Sequence, residues 1–353
     1  MLAPVVHILP LTTIRRERIL PVSGRVVVRM DQKVSPVDVV AEANLGEKHI
    51  LLDVARLLGI AATRADELIV CKAGERVTSN QLIAQSQGLV PHNVHAPCDG
   101  RVVAVGDGRV LLEVGNRVFE LRAGIPGTIT RLVPERGVEI TANGSLIQGV
   151  WGNDRVDIGL MLPAYQMSSA GHELDAGHLE VSQRGAILLA GHCSDPQALR
   201  TAAELPLRGL ILGSITPELM PVAAQMRYPI IVTDAIGKYP MNRIAYKLLS
   251  TNINREVALN GTPVNLHTGS RPEIIIPLPV SHEQPMLHES VVLTRGQQVR
   301  MCRAPNMHEV GTLSDLLPGL TDFPSGLHLP AAEVLLENNQ KVTVPLVNIE
   351  VLG

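Results

Sequence analysis

Between Ile19 and Ala164 the chain is a succession of short runs of Val, Ile and Leu, each closed within a few residues by Gly, Pro, Asn or Asp. Such runs read as strands, because β-branched and aliphatic side chains pack well on a pleated surface and the closing residues supply turn geometry. Repeated at this spacing they imply an antiparallel barrel or sandwich. A weak repeat runs through the pattern. Pro21-Val-Ser-Gly24-Arg-Val-Val is echoed by Pro97-Cys-Asp-Gly100-Arg-Val-Val and more faintly by Pro126-Gly127-Thr-Ile-Thr, each setting a turn before a β-branched strand.

Two stretches, 29–41 and 71–84, both read as strand, tight turn, strand. With Ala96-Pro97-Cys-Asp-Gly100-Arg-Val-Val they resemble the barrel-sandwich hybrid of biotinyl and lipoyl carrier domains and of their non-carrier relatives, over roughly residues 19 to 115. The resemblance implies the fold. A carrier would also present a Lys beside Met or Ala at a hairpin tip, and the corresponding tip, Val105-Gly106-Asp107-Gly108-Arg109, has none. Lys33 and Lys72 sit in turns without a flanking Met, so no attached cofactor is expected.

From about Gly171 the rhythm changes to alternating strand and helix. Gly185 to Ala190, Leu207 to Leu212 and Pro229 to Thr233 are near-continuous apolar strands, as in a parallel sheet covered on both faces. Asp195 to Glu204 reads as a helix, with Ser194 or Asp195 as N-cap and Pro196 in its first turn. Thr216 precedes a second helix, and Arg243 to Leu249 forms a third. The stretch 212–232 resembles the swivelling phosphohistidine domain of phosphoenolpyruvate-utilising enzymes. Thr216 and Pro217 stand where that family has its phosphorylated His, so the likeness implies the shape without the chemistry.

Residues 277–285 read as a proline-rich linker. Beyond it, 293–303, 310–313, 333–337 and 341–345 resemble the SH3-like barrel of KOW modules, closed by a last strand at 345–352. The expected organisation is therefore a mixed β and α/β multidomain protein. Residues 1–170 form a β-rich barrel-sandwich hybrid domain, 171–285 a small swivelling-type parallel α/β domain plus linker, and 286–353 a C-terminal SH3-like β-barrel.

Composition narrows the function. Lys and Arg number 31 against 34 Asp and Glu, and among 353 residues only seven are aromatic, which argues against a nucleic-acid binder built on basic charge and stacking rings. Cys71, Cys98, Cys193 and Cys302 form no CxxC pair, so a reducing, cytoplasmic setting fits. The run from Leu2 to Leu11 is too short for a membrane span and makes a poor signal peptide. No membrane partner is expected.

Three clusters carry chemistry-bearing side chains. His92, His95 and Cys98 have metal-compatible types and spacing but lack a fourth partner, and they read as polar turn residues. His192, Cys193 and Ser194 follow one strand, Gly213, Ser214 and Thr216 follow the next, and Asp234 ends a third. The carboxyl ends of adjacent parallel strands form the crevice where open α/β sheets usually take ligands, so these seven are the candidate anion or ligand site. Arg295, Arg300 and Arg303 are the candidate contacts of the terminal barrel with a partner or RNA, although nearby carboxylates largely cancel their charge. Every resemblance lacks its family's chemical residue. The favoured expectation is a non-enzymatic scaffold that associates with itself or another protein. One alternative is a KOW-type accessory factor on ribosome, RNA polymerase or RNA, and a second is an anion-binding or catalytic subunit using the sheet-edge site.

Overall fold

A computed structural model describes residues 2–86, 92–164, 170–265, 268–279 and 290–353. The chain is mostly β, with 48% strand and 15% helix. It opens with β1 (Leu2–Val6) and β2 (Ile8–Ile19). β1 does not join the strands that follow it. It pairs antiparallel with Ser290–Val292 and parallel with Ile349–Leu352, so the N-terminal strand belongs to the C-terminal sheet and not to the 1–170 unit.

A long ribbon follows. β3 (Val39–Asp53), helices α1 (Val54–Leu58) and α2 (Ala62–Leu68), β4 (Gly100–Gly106) and β5 (Arg109–Arg122) come in that order. β3 and β5 pair from Asp53–Arg109 to Val39–Arg122. The two ends serve different cores. Ile50, Leu52, Val110 and Leu112 pack into one, and Val40 joins Ile129 and Ile140 in another. The sequence repeat is a structural one: Arg25 stands opposite Glu42 at one end of the ribbon, and Arg101 opposite Glu113 at the other. Gly24 and Gly100 are required there, because a Cβ would lie 2.2 Å from the Glu42 carbonyl oxygen and 2.7 Å from that of Glu113.

Helices α1 and α2 interrupt a region read as strands. Asp53 caps α1 by accepting from the Arg56 N–H, and Gly59 ends it in the left-handed conformation, the usual start and stop chemistry. The pair packs on the hairpin tip between β4 and β5. The Gly108 N–H donates to Asp66 Oδ1 at 2.8 Å, and its carbonyl accepts from the Ala55 N–H at 2.9 Å.

The central sheet contains β6 (Gly127–Val133), β7 (Gly137–Gln148), β8 (Val156–Pro163), β9 (Ile187–Cys193), β10 (Gly209–Ile215), β11 (Ile230–Ile236), β12 (Glu256–Asn260) and β13 (Glu273–Pro277). Between these strands lie helices α3 (Pro196–Glu204), α4 (Met220–Gln225) and α5 (Arg243–Ser250). Its order is Trp151–Gly152, β11, β10, β9, β8, β12, β13, β7, β6, Lys33–Val34, with β2 paired on β7. β8 to β11 run parallel and the rest antiparallel. Main-chain hydrogen bonds thus cross the expected boundary near residue 170, because β8 lies beside β9 and β7 beside β13. Every residue of β9 and β10 is buried, since α3 and α4 cover one face and α5 the other. Asp195, not Ser194, caps α3 by accepting from the Gln197 N–H.

The C-terminal sheet holds β14 (Gln298–Met301), β15 (Val310–Leu316), β16 (Ala331–Leu336), β17 (Lys341–Pro345) and β18 (Ile349–Leu352). β18 lies between β1 and β14. Most of the expected 277–285 linker lies outside the described residues. Among the described residues no helix is long and apolar enough to cross a membrane.

Candidate functional site

The parallel strands deliver their carboxyl ends side by side, with His192 opposite Ser214 and Ser214 opposite Ala235. His192 is 3% exposed. Its Nδ1 lies 2.8 Å from Ser214 Oγ, and its Nε2 lies 3.4 Å from Thr216 Oγ1. Ser214 spends its only proton on the Tyr239 carbonyl at 2.5 Å, so its oxygen must accept from His192, which fixes the Nδ1–H tautomer. Burial holds the imidazole below its ordinary value of 6.5, as a neutral ring requires. Three of the seven candidate residues therefore form one network.

The other four are placed differently. Cys193 points into the core beneath α3, where burial pushes its thiol up to about 12, and this removes it as a nucleophile near neutral pH. Ser194 is exposed and donates to Glu173. Gly213 is a packing position, because a Cβ there would sit 2.7 Å from that of Met241. Asp234 turns away from His192 and accepts from Thr233 Oγ1 at 2.7 Å, from Asn242 Nδ2 at 2.6 Å and from the Asn242 N–H at 3.1 Å.

Arg300 completes the Asp234 cluster and corrects its expected surface role. It is 2% exposed, donating from Nε to Glu350 Oε1 at 2.6 Å and from Nη1 to Asp234 Oδ1 at 3.4 Å. Arg271 adds a contact to Glu350 Oε2 at 3.3 Å. Burial opposes the Arg300 charge, but Glu350 and Asp234 more than offset it, and its pKa is raised. An alternating strand pattern cannot show this, because the partner carboxylates lie 50 and 66 residues away in the chain. Arg295 pairs at the surface with Asp315, and Arg303 is exposed. The three arginines form no common face.

Next to this cluster, between α5 and the C-terminal sheet, lies an open groove of about 1280 Å³. Asp234 and Tyr239 connect it to the two networks. His308 lines it too, its ring edge-on to Tyr239 at 4.7 Å and its buried Nε2 without a hydrogen-bond partner. Burial and the Arg300 charge hold that imidazole low as well. The wall opposite α5 comes from residues 305–310 and 336–338, far from it in the chain, and has no local signal in the sequence.

Elsewhere, His92, His95 and Cys98 do not converge, and among the described residues no group of three or more His, Cys, Asp or Glu could hold a metal. The hairpin tip at 105–109, where a carrier domain displays its lysine, is covered by α1 and α2. No curated protein matches the chain. Residues 57–117 match the family described as the RnfC barrel sandwich hybrid domain, a stretch that holds α2, β4 and most of β5.

Proposed function

We propose that this chain is a non-enzymatic assembly subunit acting through protein contacts, self-association among them. The observation that carries this reading is how the polar residues at the strand ends are used. Where an open α/β sheet would offer them to a ligand, His192 is occupied by Ser214 and Thr216, and Asp234 by Asn242 and Arg300. What remains open beside them is the groove.

Several observations support it. The name of the matched domain is that of a subunit of the Rnf electron-transport complex, which is compatible with a subunit role and neither confirms nor refutes a scaffold. The parallel sheet reads as a swivelling-type α/β layer without the phosphorylated His, and β14 to β18 as an SH3-like barrel of KOW type. Burial of Arg300 and pairing of Arg295 leave Arg303 as the member of that trio without an ion pair among the described residues, which favours a protein over RNA as partner.

Size-exclusion chromatography with light scattering, joined to affinity purification from the native cell, tests the proposal. A discrete oligomer or a stoichiometric companion is expected. A clean monomer at micromolar concentration with no companion counts against it.

A further inference from the structure

We propose that the groove between α5 and the C-terminal sheet receives a short segment of a partner protein, one with bulky apolar side chains flanked by an acidic residue on one side and a basic residue on the other. This rests on the assembly reading and names the surface that does the work. Charge complementarity selects the occupant. The α5 wall carries Arg243 and Lys247, and the opposite wall carries Glu309 and Glu337. Lys247 has no ion-pair partner among the described residues, and Arg243 reaches Glu337 only loosely, at 3.8 Å with both side chains mostly exposed. The two walls thus present opposite charges that a dipolar segment can satisfy.

The apolar lining points the same way. Tyr239 and Tyr246, two of the four tyrosines, line the groove with Met241 and Met307. Tyr, Met and Arg are the residues enriched where proteins bind each other, and Met adapts to varied side chains. Tyr239, Ile244 and Met307 remain 38%, 37% and 36% exposed, unusual for large side chains grouped on one surface. The volume also exceeds the roughly 300–1,000 Å³ of small-molecule pockets, as a polypeptide segment requires.

A phage-displayed random peptide library selected on the immobilised full-length protein tests this. Enriched peptides should combine bulky apolar residues with an acidic residue on one side and a basic residue on the other. M307R and I244D, both at exposed positions and checked by thermal melting for retained fold, should weaken those peptides more than about tenfold. K247E should weaken them about two- to fivefold, as a rim charge does. Peptides that bind all three variants undiminished would overturn the groove as the site while leaving the assembly reading intact. No enrichment, or enrichment indifferent to K247E, would overturn the proposed occupant. Failure of the assembly reading shows separately, as a partnerless monomer in light scattering.

Discussion

Two buried polar clusters sit at the same edge of the parallel sheet, and they are built in opposite ways. The His192, Ser214 and Thr216 network is neutral and links neighbouring strands of one layer. The Asp234, Arg300, Glu350 and Arg271 network is charged and links two sheets, since Asp234 lies in β11 while Arg300 and Glu350 lie on β14 and β18. A neutral hydrogen-bonded ring costs little to bury and contributes little when formed. A buried ion cluster is tolerated only while every member is present, so it acts as a check on how the sheets meet.

The largest effect should therefore come from the charged cluster. Arg300→Met leaves Glu350 and Asp234 without their shared cation and is expected to destabilise by about 3–5 kcal/mol, read as a fall in the denaturant midpoint. A loss no greater than that at His192 would erase the distinction between the clusters. His192→Ala removes two hydrogen bonds and opens a cavity, for an expected cost of about 2–3 kcal/mol by the same measurement.

Acidification should act on the histidines next. His192 and His308 are both held below 6.5 in the native state, so the unfolded chain binds protons more readily. Stability should be full above about pH 6.5 and decline as pH falls through their depressed native values. The His192→Gln, His308→Gln double variant should flatten that slope in thermal melts between pH 7 and 5. The smallest change is expected at the exposed Arg295–Asp315 pair, where Arg295→Ala should alter stability by no more than about 0.5 kcal/mol. A larger loss would mean that surface pairs also fix the geometry of the C-terminal sheet.

Local chemistry was legible and long-range pairing was not. Asp195 followed by Pro196 announces α3, and unbroken apolar runs announce β9, β10 and β11. Asp53 and Gly59 carried the same kind of signal for α1, but the β rhythm on either side of them obscured it. Legibility of the site divides along the same line. His192, Ser214 and Thr216 could be brought together from the parallel-strand pattern alone, whereas the burial of Arg300 depends on Glu350 and Asp234, which only the assembled sheets bring near. The sequence repeat at Gly24 and Gly100 was visible because each copy keeps its turn and its arginine within a few residues.

The pairing of β1 sets an order of events during synthesis. Residues 2–6 are synthesised well before their hydrogen-bonding neighbours, 290–292 and 351–352. Until those neighbours emerge, the first strand has an apolar sequence and two unpaired edges. It must wait until they are made, a period in which an exposed strand edge is open to mispairing with other chains or capture by a chaperone.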